Sequence, residues 1–137
     1  MRVRLAILLM SAPLLLGAVL FGGARVTLFE IQKDGSDLVI SWQSDQEDGV
    51  REYELHRMTP YSNGEYVALE TVRAHGPGKV YRYRDDQVYK NAADMIDYRL
   101  DVVFTDGSRQ VGVKTGRVDY TSTAVRRTWG SIKAMFQ

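Results

Sequence analysis

Five glycine-centred turn signals divide residues 25–120: Asp34-Gly35, Asp48-Gly49, Asn63-Gly64, Gly76-Pro77-Gly78 and Asp106-Gly107. The runs between them are short and rich in Val, Ile, Tyr, Thr and Leu, and none of them sustains a helical period. Frequent turns leave room only for strands, and many short strands in sequence close most readily into a sandwich or barrel. About seven strands are expected.

Period-two alternation shows which sides of these strands face inward. Leu38, Ile40 and Trp42 share one face of DLVISWQSD, and Tyr98, Leu100, Val102 and Phe104 share one face of IDYRLDVVFTDG. Strand side chains alternate between faces, so both sets are expected in the core. Tyr53 with Leu55, Tyr81 with Tyr83, and Val111 with Val113 supply further inward pairs, with RVTLFEI and GEYVALETVRA as the remaining strands. The chain has no cysteine. Its core must hold without disulfides, and thiolate nucleophiles, thiolate metal sites and redox chemistry are excluded.

The set of motifs Ser41-Trp42, Tyr53 to Arg57 in YELHR, Tyr81 to Asp85, and Tyr98 to Gly107 resembles a fibronectin type III domain of the kind found in bacterial exported proteins. The resemblance covers nearly all of residues 25–120 and implies an immunoglobulin-like β-sandwich with Trp42, Tyr53 and Tyr98 as structural core. It also implies that Tyr98 crosses the end of the sandwich and hydrogen-bonds backbone, as a tyrosine corner does. One departure is Ala92, six residues before Tyr98, where the family has Leu; Val88 or Met95 is expected to fill that gap. The Arg-Gly-Asp tripeptide of integrin-binding members is absent. A Trp at the centre of such a core needs a partner for its indole N–H.

The two ends differ from the body. Arg2 and Arg4 precede an apolar run from Leu5 to Leu20 that closes on Gly22 and Ala24, the pattern of a signal peptide. Residues 1–24 are read as a leader, removed after Ala24 or retained as an anchor, since the run just reaches bilayer length. Either outcome places residues 25–137 outside the cytoplasm, in the periplasm, cell envelope or extracellular space. Residues 121–137 hold three basic and no acidic side chains. Ser122 or Thr123 can cap a helix there, with Val125, Trp129, Ile132 and Phe136 on one face and Arg126 and Lys133 flanking it. This basic amphipathic helix is expected to lie on its own sandwich, on a partner protein or on a membrane surface. Residues 25–120 hold 13 basic against 17 acidic side chains, which does not concentrate the positive charge that nucleic acid requires.

Catalytic signals are weak. The loop Asp45-Gln46-Glu47-Asp48-Gly49 gathers carboxylates that can hold Ca²⁺, but its spacing is not that of an EF-hand. Asp85 and Asp86 are adjacent on a strand and face opposite ways. His56 falls on an outward strand face and His75 in a turn, and neither has a partner at metal-ligand spacing. Gly76-Pro77-Gly78-Lys79 lacks the spacing of a phosphate loop. Tyr61, Tyr66 and Tyr89 fall near loops or strand ends. No catalytic residue, cofactor or metal is assigned. The expected function is non-catalytic protein–protein association in the cell envelope, through sandwich edges or loops and the tail. A carbohydrate or cell-wall module using exposed tyrosines and a small hydrolase using the acidic loop and His56 are the alternatives.

Overall fold

The computed structural model describes residues 23–88 and 95–120. Seven strands follow one another: β1 Ala24–Asp34, β2 Asp37–Glu47, β3 Val50–Met58, β4 Val67–Arg73, β5 Val80–Asp85, β6 Met95–Phe104 and β7 Arg109–Asp119. They form two sheets, ordered β1-β2-β5 and β4-β3-β6-β7, with every pairing antiparallel. Among the described residues no helix is long and apolar enough to cross a membrane. The leader 1–24, apart from Gly23 and Ala24, and the tail 121–137 lie outside the described residues, as do Tyr89 and Ala92.

The turns fall where glycine permits a left-handed backbone. Gly35 and Gly107 adopt φ of 65° and 85° in the β1–β2 and β6–β7 hairpins. Asn63 precedes Gly64 with φ of 54°, a conformation that asparagine tolerates better than other side chains. Asp48-Gly49 carries the chain from β2 to β3, and so from one sheet to the other.

Both sheets are apolar on their facing sides. Leu38, Ile40 and Trp42 of β2 meet Tyr53 and Leu55 of β3 and Ile96, Tyr98, Leu100 and Val102 of β6, all fully buried or nearly so. Trp42 stacks on Tyr81 with ring centroids 5.3 Å apart and meets Tyr53 edge-on at 6.0 Å, so these three rings form the centre of the core. Aromatic pairs in these geometries add attraction beyond the area they bury. The Trp42 indole Nε1, expected to donate a hydrogen bond, has no partner among the described residues; its surroundings are rings and aliphatic carbon. Val88 is buried in this cluster and Met95 is exposed.

Irregularities interrupt the simple alternation at several points. One extra residue in β1, Thr27, moves the inward set from Val26 to Phe29 and Ile31. In β7 the pairs Leu100↔Lys114 and Val102↔Gln110 leave Asp101 alone opposite residues 111–113. Gly112 takes φ of 68° within this bulge, and its N–H donates to the Asp101 carboxylate at 2.8 Å instead of to a backbone carbonyl. Val111, expected to point inward beside Val113, is therefore displaced to the surface and is 61% exposed.

Truncating the central ring tests this account. Trp42→Ala is expected to cost about 3–5 kcal/mol in urea unfolding, as aromatic-to-alanine cavities do. Trp42→Phe is expected to cost less, because it retains a ring and removes the unpartnered N–H.

Candidate functional site

Three carboxylate clusters organise the polar chemistry of the described residues, and each occupies a different part of the sandwich. Glu47, at the end of β2, accepts the hydroxyls of Tyr53 and Tyr81 at 2.9 and 2.8 Å on one oxygen and the Gly76 N–H at 2.8 Å on the other. The Tyr53 hydroxyl also meets Ser44 Oγ at 2.7 Å, and the His75 N–H donates to the Tyr81 hydroxyl at 2.6 Å. The His75 ring stacks on Tyr81. Burial, opposed by the His75 N–H and reinforced by Glu47, pushes the Tyr81 phenol from its ordinary value of 10.0 up to about 12. Burial raises Tyr53 further.

Asp85 closes the opposite end. It is 1% exposed and accepts Arg57 Nη1 on both oxygens, at 2.8 and 2.6 Å. Tyr98 donates its hydroxyl to the same carboxylate at 2.7 Å. The tyrosine was expected to reach a backbone carbonyl, but a buried carboxylate on the facing sheet is the stronger acceptor. Burial first, then the Asp85 charge, holds the Tyr98 phenol far above its usual value. Asp86, beside it, is exposed and accepts from Gln87.

The third cluster, with two carboxylates, lies on the outer face of the larger sheet. Glu54 and His56 are two apart on β3 and share that face, and Asp101 stands directly opposite Glu54 on β6. Like charges in directly opposed positions repel. Here Arg99 binds Asp101 through two parallel bonds of 2.9 Å, and Arg109 binds both oxygens of Glu54. The Arg109 bond holds the Glu54 carboxyl below its ordinary range, against the opposing effect of burial. Arg99 also lies over the Tyr66 ring, 4.5 Å from its centroid.

His56 is the residue whose setting differs most from the sequence reading. It does face outward, yet it is only 9% exposed, and two carboxylates stand beside it. Its Nε2 lies 3.2 Å from Asp101 Oδ2 and 3.4 Å from Glu54 Oε2, but is aligned for a hydrogen bond with neither. The sequence reading gave His56 no partner at metal-ligand spacing, whereas Glu54, two residues before it on the same strand face, is one. Asp101 was not visible in the sequence, because its approach depends on the β3–β6 register.

The other sequence candidates disperse. Asp45 pairs with Arg25, Asp48 accepts from Gln46, and Glu47 turns toward the tyrosines, so the loop carboxylates do not converge. Gly78 N–H donates to the Ser44 carbonyl and Gly76 N–H to Glu47, which commits the backbone donors of that turn. Tyr61 is 69% exposed. Val125, Arg126, Trp129, Ile132, Lys133 and Phe136 lie outside the described residues.

No family model matches the chain, and no curated protein matches it. Among solved structures, the pectate lyase Pel3 from Pectobacterium carotovorum aligns with 69% of this chain and 26% of its own, at 13% identity and a TM-score of 0.49. The pectate lyase PelI from Erwinia chrysanthemi, in complex with tetragalacturonic acid, aligns with 69% of this chain and 28% of its own, at 16% identity and a TM-score of 0.47. The β-glucosidase 3B from Thermotoga neapolitana aligns at 10% identity and a TM-score of 0.39, over 72% of this chain and 17% of its own. The chain thus spans little more than a quarter of the lyase chains. Likenesses at these scores carry no inference about activity.

Two outcomes test the end clusters. Arg57→Met leaves Asp85 buried without its cation and is expected to cost about 3–5 kcal/mol in urea unfolding. Tyr98→Phe, which removes one bond to a charged acceptor, is expected to cost about 1.5–3 kcal/mol. For alkaline pH, a phenol whose pKa is raised in the folded state favours folding fully below its unfolded value. That contribution is lost as pH climbs through the folded value. Stability is therefore expected to fall from pH 10.0 upward through all three phenols, with the Tyr81 contribution lost by about pH 12 and those of Tyr53 and Tyr98 continuing beyond it. Tyrosinate absorbance followed beside circular dichroism checks this, with the buried phenols ionising only as the fold is lost.

Proposed function

We propose that the chain is a non-catalytic, exported binding module with a fibronectin type III-like body, acting by protein–protein association in the cell envelope. The observation that carries this reading is the set of four edge strands, β1 and β5 on one sheet and β4 and β7 on the other, each paired on one side only among the described residues. An unpaired strand edge accepts an extended segment of another protein through backbone hydrogen bonds.

The edges are not equivalent. β1 runs alongside β7, where Phe29 and Ile31 approach Gly116 closely enough that a Cβ there would meet Ile31 Cδ1 at 2.7 Å. β7 is further disrupted by its bulge at residues 111–113. The edges of β4 and β5 lie on the other side, and each presents an exposed valine, Val67 at 54% and Val80 at 55%. That side is the better template for strand addition.

The non-catalytic part of the reading rests on the engagement of the acidic groups. Glu47 and Asp85 are committed to tyrosine and arginine donors that join the sheets. The fibronectin type III assignment is supported by the seven-strand, two-sheet order and by the burial of Trp42, Tyr53 and Tyr98. Export rests on residues 1–24, and the tail is proposed as a second contact through Trp129 and Phe136.

The test uses capture from solubilised envelope by residues 25–137. Val67→Lys and Val80→Lys, both at exposed positions, are expected to reduce capture of a reproducible partner at least fivefold while leaving the unfolding midpoint within error. Capture unaffected by these changes but lost with Trp129→Ala would move the contact to the tail. Turnover of a polysaccharide or peptide substrate by the purified chain would replace the binding reading with an enzymatic one.

A further inference from the structure

The cluster of Glu54, His56 and Asp101 contains more unused ligand capacity than a charge-balanced surface network needs. One ligand atom from each residue lies within 4.8 Å of the other two. His56 is more than nine-tenths buried, and its Nε2 is one of two buried side-chain nitrogens without a hydrogen-bond partner among the described residues. The other, on Trp42, is enclosed by the apolar core. His56 Nε2 instead faces two carboxylate oxygens.

The acceptor accounting points to the same place. A carboxylate offers about four lone-pair sites. Asp101 Oδ1 already receives Arg99 Nε and the Gly112 N–H, while Oδ2 receives only Arg99 Nη2. The remaining acceptor site is on Oδ2, the oxygen 3.2 Å from His56 Nε2. Glu54 Oε2 receives one Arg109 nitrogen and lies 3.4 Å from the same Nε2. Metal bonds of about 2.0–2.1 Å at tetrahedral angles separate ligand atoms by about 3.3–3.4 Å. The separations of 3.2 and 3.4 Å lie close to that edge length.

We propose that Glu54, His56 and Asp101 bind a single divalent transition-metal ion of the zinc type. His56 contributes Nε2, and each carboxylate contributes the oxygen facing it, with solvent completing the coordination. An imidazole nitrogen beside two carboxylates suits zinc, cobalt, nickel or copper, whereas magnesium and calcium prefer all-oxygen sets. Arg99 and Arg109 each bond both oxygens of one carboxylate and so orient it, as outer-shell donors orient ligands in metal sites. The same guanidinium charges oppose the incoming cation and limit its affinity. Such an ion would tie β3 to β6 across their directly opposed acidic pair.

The test is titration of Zn²⁺ and Co²⁺ into the chelator-treated full chain. Zn²⁺ is expected to raise the melting temperature in a concentration-dependent way, since a ligand specific for the folded state stabilises by mass action. Co²⁺ is expected to develop visible absorption of low-coordinate character and to broaden amide resonances around residues 54, 56 and 101. His56→Gln is expected to weaken binding tenfold or more, given that loss of even an outer-shell partner costs about 10–100-fold. His75→Gln, which alters the other of the two histidines, is expected to leave binding unchanged. Absence of any Zn²⁺-dependent shift in the wild-type chain, undiminished binding in His56→Gln, or broadening centred on His75 or residues 45–48 would each overturn the assignment. Because localised broadening is read on the wild-type chain, the result does not depend on a variant's folding.

Discussion

Hydrogen bonds from tyrosine and arginine on one sheet to carboxylates on the other hold this sandwich closed at both ends. Tyr98 and Arg57 cross from the larger sheet to Asp85 on β5, and Tyr53 crosses to Ser44 and Glu47 on β2. Apolar burial brings the sheets together without preferring one angle or offset strongly, because it is non-directional. The polar latches are directional, and they fix Leu38, Ile40 and Trp42 against β3 and β6 in one register. A chain without cysteine has placed at its two ends the cross-links that a disulfide would otherwise supply. These links hold by geometry and exclusion of water, so they respond to pH where a disulfide would not.

The acidic residues thereby divide by depth. Those at the sandwich ends are satisfied by phenols and a guanidinium and serve the fold. Exposed ones, such as Asp45 with Arg25 or Asp34 with Arg84, form surface pairs that contribute little. Glu54 and Asp101 fit neither class, since each lies beside both an arginine and the buried imidazole of His56, and Asp101 is as buried as Asp85. The proposed strand-edge contact and the proposed metal site draw on different residues, Val67 and Val80 for the one and Glu54, His56 and Asp101 for the other.

Strand placement was readable because turn residues and period-two alternation are local signals. Gly35, Gly64 and Gly107 mark turns, and Leu38, Ile40 and Trp42 occupy one face for the same steric reason in any strand. What escaped were quantities set by neighbours. The β7 bulge, which exposes Val111, depends on Asp101 capturing the Gly112 N–H eleven residues later. The acceptor for Tyr98 is a side chain on the opposite sheet, and the setting of His56 depends on the register of β3 against β6. Outward-facing was equated with exposed, yet on a four-stranded sheet the central strands are covered by the long side chains of their neighbours.

The entry and exit of the chain give the body a polarity. Gly23 is tied by its carbonyl to the Asp48 N–H, at the Glu47 end, whereas Tyr120 is buried and donates to the Ser36 carbonyl, at the Asp85 end. An eleven-residue strand at about 3.3 Å per residue separates the two by roughly 30 Å. Whatever precedes residue 23 and whatever follows residue 120 therefore attach to opposite poles of a stiff body. The sandwich thus holds its points of chain entry and exit about one strand length apart, at opposite ends of its sheets.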